Sequence, residues 1–131
     1  METALRILLA DWLRTDPLLQ TELNAVTEEA PSRTSFPWLG IAASASTDWS
    51  TKTAKGREVR LAFELHCRGD DPAMAAALTR AIEERIESLP AGQPGFTIAS
   101  TTFLRARAEQ RPRNLRAILL EYRFRLLAAE A

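Results

Sequence analysis

Histidine and cysteine each occur once in this chain, as the neighbours His66 and Cys67. Any imidazole or thiol chemistry must therefore involve this pair. Apolar and polar residues alternate around them, which predicts a β-strand, and adjacent strand residues point to opposite faces of a sheet. The two side chains then cannot form a nucleophile–base pair without a local distortion. We interpret His66 as a structural residue, the alternative being a general base beside a pocket.

The carboxylates Asp70 and Asp71 could hold a cation. However, Asp71 precedes Pro72, and this order is typical of a helix start, where a carboxylate caps free N–H groups. One cysteine excludes an internal disulfide and leaves no cysteine cluster for zinc. The five glycines are too scattered to form a phosphate-binding loop. We therefore expect no catalytic residue, no bound metal and no cofactor.

Basic and acidic residues balance at 17 each but are unevenly distributed. Residues 1–30 have a net charge of −4 and residues 101–131 a net charge of +4, counting Arg against Asp and Glu. This polarity could steer self-association, or the two ends could lie together and neutralise each other within one subunit. The arginines could also contact DNA, but the nearby Tyr122 and Phe124 are predicted on the core face. An arginine surface that is solvated or contacts another subunit is therefore favoured.

The polar stretch Thr47–Gly56 is predicted to be a long, mobile hairpin loop, and it contains Trp49. Aromatic residues are enriched at protein interfaces, so Trp49 is a candidate contact residue. The alternative is that Trp49 folds back on its own sheet. Neighbouring cations would suit an acidic partner surface or would simply be solvated. With charged residues of the adjoining strands, the candidate interface comprises Asp48, Trp49, Lys52, Lys55, Arg57, Glu58, Arg60, Glu64, Arg123 and Arg125.

Hydrophobic periodicity predicts the elements that position these residues. Apolar residues at helical spacing predict a helix from Glu2 to Arg14, and a second capped helix is predicted from Pro72 to about Ser88. Period-two patterns and turn residues predict strands over Pro37–Ser46, Arg57–Arg68, Phe96–Glu109 and Leu115–Leu127, with a short helical turn at Leu18–Leu23 and a weak edge strand near Ala25–Thr27. The fold class is therefore α+β, with helices on one face of an antiparallel sheet of about four strands.

Two details of packing can also be predicted. Phe103 breaks the face shared by Ile98 and Leu104, which indicates a β-bulge or two covered faces. The second long helix is predicted to bury Met74, Leu78, Ala81, Ile82, Ile86 and Leu89.

The composition is that of a globular domain. A chain of 131 residues with 46% hydrophobic and 26% charged residues predicts a single domain, 1–131. No apolar run approaches the roughly 18 residues that span a bilayer. We therefore expect no signal peptide, no membrane anchor and no membrane partner.

The order of elements over Pro37–Leu89, together with the N-terminal helix and its Asp16–Pro17–Leu18 continuation, resembles the tail terminator (tail-completion) proteins. These belong to long-tailed phages and phage-like gene transfer agents. The resemblance extends over nearly the whole chain, including the Phe36–Pro37–Trp38 segment and the last strand. It rests on element order and local sequence character, since the family has no catalytic signature.

This resemblance implies a non-enzymatic virion assembly protein. Members of the family form a hexameric ring on the last ring of the major tail tube protein, stop tube polymerisation and offer a docking surface to the head-side connector. The expected location is the cytoplasm during assembly and then the neck of the virion tail, where DNA passes through the lumen. The alternatives are another neck or head-completion subunit, or a small ferredoxin-like α+β enzyme or ligand-binding domain that uses His66.

Overall fold

A computed structural model describes residues 1–28, 35–69 and 72–129. The elements are α1 (Glu2–Arg14), α2 (Pro17–Glu22), β1 (Val26–Thr27), β2 (Trp38–Asp48), β3 (Gly56–Arg68), α3 (Pro72–Glu87), β4 (Gly92–Gln93), β5 (Phe96–Arg111) and β6 (Leu115–Ala128). The predicted order of helices and strands is confirmed. The predicted cap at Asp70 and Asp71, and the possible cation site there, lie outside the described residues.

The strands form one six-stranded sheet in the order β1-β2-β3-β6-β5-β4. The prediction of about four antiparallel strands fits the four long strands, each of which runs antiparallel to its neighbour. Two-residue strands at the borders account for the difference, and β1 runs parallel to β2 rather than antiparallel. Pairs as short as β4 have no hydrophobic period to detect, so sequence patterns do not reveal them.

Alternating residues of the four long strands meet the helices in a single core. On β3 and β6 the inward side chains Val59, Leu61, Phe63, Tyr122 and Phe124 are all buried. Helix α1 contributes its predicted stripe, in which Leu5, Leu9 and Leu13 are fully buried. Burial of apolar surface on this one side is the main stabilising contribution to the fold.

The first turn of helix α3 faces the core with Ala75, one residue after the predicted Met74. Ala75 is buried, whereas Met74 is 37% exposed, so the prediction that Met74 belongs to the buried stripe is wrong. Leu78, Ile82, Ile86 and Leu89 are buried as predicted. A small side chain such as alanine at the buried position fits close packing between the helix and the sheet.

Trp12 and Arg85 connect α1 to α3 through hydrogen bonds and a ring contact. The Trp12 indole N–H donates to the Arg85 carbonyl at 2.7 Å, and Arg85 Nε donates to the Trp12 carbonyl at 2.8 Å. The Arg85 guanidinium carbon also lies 3.5 Å from the centroid of the Trp12 ring. These contacts fix the relative position of the two helices above the sheet.

Strand β5 contains the irregularity predicted around Phe103. Its register with β6 shifts between Ile98 and Ser100 and again between Phe103 and Arg105. Phe103 lies on the core side, where its ring makes an edge contact with Tyr122 at 5.5 Å between centroids, yet it remains 44% exposed. The bulges let β5 keep one face toward the core despite its broken alternation.

None of the three helices in the described ranges is long and apolar enough to cross a membrane.

Candidate interface on the helix-free face of the sheet

The four long strands have a second face that the helices do not cover, here called the helix-free face. It is rich in charged residues with small residues between them, and register places side chains from β2, β3, β6 and β5 in continuous rows. Its members include Trp38, Ala43, Ala45, Thr47, Glu58, Arg60, Ala62, Glu64, His66, Ser100, Thr102, Arg105, Arg107, Glu109, Arg111, Ala117, Leu119, Glu121, Arg123 and Arg125. The same strands thus have an apolar side for folding and a polar side open to other molecules.

Trp49 lies at one end of this face. The structure has it half-buried, with the Arg125 guanidinium carbon 5.5 Å from its ring centroid. Arg125 Nε donates to Glu58 Oε1 at 3.1 Å, and Arg123 Nε lies 3.8 Å from the same oxygen. Trp49 therefore rests on its own sheet through a cation–π contact and still presents part of its indole outward.

The loop that carries Trp49 is shorter than predicted. Strand β2 continues to Asp48 and β3 begins at Gly56, so the loop comprises residues 49–55 rather than Thr47–Gly56. Its ends are joined by a hydrogen bond from the Trp49 N–H to the Gly56 carbonyl at 2.9 Å, and the Gly56 N–H donates to Ser50 Oγ at 3.0 Å. The difference lies at the strand ends, because Thr47 and Asp48 are exposed polar residues of β2 and Gly56 is the first residue of β3, and such residues resemble a loop in a periodicity pattern.

Gly56 is required where this loop meets the sheet. A Cβ on Gly56 would lie 2.8 Å from the Leu126 carbonyl oxygen and closer still to the carbonyl oxygen of Trp49. Both atoms belong to the backbone and cannot rotate away. Any side chain at this position would push the loop off the last strand.

The opposite end of the helix-free face is built around Glu64. Its Oε1 lies 3.0 Å from His66 Nε2 and 3.1 Å from Arg111 Nη2. The His66 ring stacks on Trp38, with centroids 4.1 Å apart and planes inclined by 9°. Burial lowers the pKa of His66 below its ordinary value, and Arg111 adds to this effect while Glu64 opposes it. The imidazole is thus held between a ring stack and a carboxylate, contacts that are compatible with the structural role predicted from the sequence.

An ion pair in the middle of the face joins β5 to β6. Arg105 Nη2 donates to Glu121 Oε1 at 2.8 Å. This hydrogen bond lowers the pKa of the Glu121 carboxyl and raises that of Arg105. The pair is largely exposed, so its contribution to stability is small.

The candidate residues thus divide into three groups. Trp49, Glu58, Arg123 and Arg125 are in contact at one end, and Glu64 is in a separate cluster at the other end. Asp48 is exposed and accepts a hydrogen bond from Ser50 Oγ at 2.7 Å. The remaining candidates, Lys52, Lys55, Arg57 and Arg60, are exposed without an ion pair among the described residues.

The candidate interface predicted from the sequence did not include Trp38, Arg105, Arg111 and Glu121, which also belong to this face. Arg111 and Glu64 are far apart in sequence and meet only because β5, β6 and β3 are neighbours in register. A sequence pattern could show that each side chain belongs to a polar face. The partner of each one depends on strand order and on the two bulges in β5.

The acidic and basic parts of the chain do not neutralise each other in the described structure. Arg6 pairs with Glu28 and Arg14 with Asp11, within the first 28 residues. The arginines of β5 and β6 pair instead with carboxylates of β3, β5 and β6, namely Glu58, Glu64, Glu109 and Glu121. The acidic N-terminal part lies beside β2 and the basic part on β5 and β6, toward the other border of the sheet.

The sheet separates the two residues that were weighed for catalysis, His66 and Cys67. Cys67 points into the core, where burial raises the pKa of its thiol, while His66 lies on the other face. The described residues contain no group of three or more His, Cys, Asp or Glu side chains that could hold a metal ion. Together, fold and surface define an α+β structural subunit with one charged, open sheet face.

The family described as "Tail completion protein gp17" matches residues 8–127, and the chain belongs to this family. It is therefore a tail structural protein and not an enzyme, which removes the alternative of catalysis by His66. A comparison with curated proteins found no match. Among solved structures, the chain is similar to one from "Virion of native gene transfer agent (GTA) particle". The TM-score is 0.74, the sequence identity 22%, and the match covers 92% of each chain. At this identity the likeness establishes the shared fold.

Proposed function

We propose that this protein forms a ring that closes the head-proximal end of a tail tube, ends its polymerisation and mediates joining to the head. The observation that carries the proposal is the match to the tail completion family over residues 8–127. The shared fold with a chain of a gene transfer agent virion supports the same conclusion. A tail structural protein acts through its surfaces, and the helix-free face is a charged and open one.

The proposed partners are other copies of this chain, in a hexamer, and then the major tail tube protein and the head-side connector or stopper. Assembly would take place in the cytoplasm and end in the neck of the virion tail. A ring has one surface for each tail component and a heterologous contact between copies. The separation of acidic and basic regions supports such head-to-tail contact, because each region would face the opposite sign in the next copy.

Two surface elements are proposed for these contacts. The half-buried Trp49, with exposed Lys52 and Lys55 beside it, would dock on an acidic surface of a tail or head partner. The charged side chains of β3 and β6 on the helix-free face, from Glu58 to Arg125, would lie at the border of the same contact. Contact with DNA in the lumen stays a prediction, and pairing of Arg105, Arg111, Arg123 and Arg125 with carboxylates weakens it.

Deletion of the gene followed by electron microscopy of the particles tests the proposal. We expect overlong or unjoined tails, because tube growth would lack its stop and the head its docking surface. Full complementation by the wild-type gene is the control. Particles with tails of normal length joined to heads would overturn the proposal. Tails of normal length that fail to join would support the second candidate, another neck or head-completion subunit.

A further inference from the structure

Both borders of the sheet have a stretch of long strand that no other strand covers in the described structure. At one border, β1 pairs only with Leu39 and Gly40 of β2, which continues to Asp48. At the other, β4 pairs only with Phe96 and Thr97 of β5, which continues to Arg111. An uncovered strand presents free N–H and C=O groups, which pair readily with another strand.

The uncovered stretch of β2 is accessible, and its edge-protecting features are confined to its two ends, a β-bulge between Ile41 and Ala43 and the charged residue Asp48. Its residues 42–48 are small or short, and Ala42, Ala43, Ala45 and Thr47 are exposed. None of them is Lys, Arg or Pro, the residues that proteins place on edges to prevent pairing. An edge left open in this way is suited to a strand from outside the subunit.

The two uncovered stretches lie at the same height on the sheet. Register connects Ala45 through Arg60 and Arg123 to Thr102 in one row, and Thr47 through Glu58 and Arg125 to Ser100 in the next. The short strands lie outside these rows, since β1 covers β2 before Ile41 and β4 covers β5 before Ile98. Two copies set side by side could therefore bring β5 of one against β2 of the other without displacing β1 or β4.

Strand direction also permits this contact. The strands β2, β3, β6 and β5 alternate in direction, so β5 runs opposite to β2. Rotation about a ring axis keeps the axial direction of every strand. In a ring, β5 of one copy would therefore meet β2 of the next as an antiparallel neighbour, the pairing already used between the long strands.

Charge and shape favour another copy of this chain as the occupant. The acidic part of the chain lies on the β2 side and the basic part toward the β5 border, with no ion pair between them among the residues described. Beside the β2 edge, Ala43, Ala45 and Ala62 leave a cavity of about 200 Å³ bounded by Arg60 and Glu121. A side chain from a strand added at that edge would lie over the cavity, beside one side chain of each charge.

We propose that residues 100–105 of β5 in one copy pair with residues 43–48 of β2 in the next, so that the sheet continues from subunit to subunit. The proposal rests on the ring of the proposed function and names the surface that closes it. Each copy uses two different edges, so the contact is head-to-tail and repeats around the ring.

Disulfide cross-linking in assembled particles tests this pairing. Three double variants each combine Thr102→Cys with a substitution on β2, either Ala43→Cys, Ala45→Cys or Thr47→Cys, to allow for a shift of two residues in either direction. Within one subunit the β2 and β5 positions are three strand spacings apart, about 14 Å, too far for a disulfide. After mild oxidation, at least one variant should give a ladder of covalent dimers and higher oligomers on a non-reducing gel.

The four single variants are the matched controls, and none should form covalent dimers, because a head-to-tail contact brings no second copy of the same position within reach and buried Cys67 is inaccessible. Covalent dimers from Ala45→Cys alone would mean that two β2 edges meet, and they would overturn the head-to-tail proposal. Absence of a ladder from all three double variants in particles with normal tails would also overturn it.

The deletion strain decides the proposed function separately. Overlong tails on deletion, with no ladder from the double variants, would contradict the proposed edge pairing and support the proposed tail closure. A ladder from the double variants, together with normal tails on deletion, would support the proposed edge pairing and contradict the proposed tail closure.

Discussion

The two faces of this sheet are built from the same strands but differ in how their side chains find partners. On β3, Phe63 is fully buried under the helices, while the next residue, Glu64, lies on the helix-free face with Arg111 and His66. The side chains of the buried face make their contacts within the subunit. The helix-free face has ion pairs at the surface, exposed cations and, at its borders, uncovered strand edges.

This difference separates folding from assembly. Apolar burial on the helix side contributes most of the stability, whereas ion pairs on a partly exposed face contribute about 0–1 kcal/mol each. Residues of the helix-free face can therefore serve contacts with other subunits at little cost to the fold. Substitutions on the buried face should mainly lower stability, whereas substitutions on the helix-free face should mainly weaken assembly.

The largest effect on stability is expected from Phe63→Ala, which should lower the free energy of unfolding by about 3–5 kcal/mol, because it leaves a cavity in the core. The matched control is Glu64→Ala, the next residue on the strand, with an expected loss of about 1 kcal/mol. Urea unfolding of both variants measures the contrast. Similar losses for the two substitutions would contradict the division between the faces.

A smaller effect is expected at Gly56, where the loop of residues 49–55 meets the last strand. Gly56→Ala should cost about 1–3 kcal/mol, because the new methyl group meets the backbone carbonyls of Trp49 and Leu126. Gly92→Ala is the control, since a Cβ there has no atom within 4 Å. Thermal unfolding measures both, and equal melting temperatures would show that the loop can move without loss.

Trp49→Ala should change stability still less, by about 1 kcal/mol or under, because the indole is half-buried and its main ring contact is Arg125. We expect the subunit to remain folded while ring formation or tail joining weakens. Complementation of the deletion strain, scored by electron microscopy, measures the second effect. A fall of many degrees in melting temperature, with normal joining, would instead assign Trp49 to the core.

The smallest effect is expected from His66, as a pH dependence. Burial sets its folded pKa below its ordinary value of 6.5, with Arg111 adding to the shift and Glu64 opposing it. The unfolded chain then binds more protons, so this contribution to stability is present above about pH 6.5 and declines as the pH falls below it.

His66→Gln should reduce the loss of stability between pH 7.5 and 5.5, which urea unfolding at the two pH values measures. Identical losses in the variant and the wild-type chain would show that His66 does not cause the dependence.

Much of the fold was predictable because its long elements have strong hydrophobic periods. The helix of α1 and the alternation of β3 and β6 follow from local patterns, and the irregularity at Phe103 correctly indicated a bulge. The exposure of Met74 and the pairing of β4 were not predicted, since both depend on how far an element lies from its neighbour. The candidate interface remains partly a prediction, although its residues are placed.

The amino-acid sequence by itself determined which residues share a face, because side-chain direction follows from the local period of a helix or strand. It also separated His66 from Cys67 and distributed acidic and basic residues to different parts of the chain. Only the tertiary structure decided strand order, and with it the contact of Trp49 with Arg125 and of Glu64 with Arg111. Strand order likewise decided that stretches of β2 and β5 are uncovered near the borders of the described sheet, because pairing between distant strands depends on the packing of the whole chain.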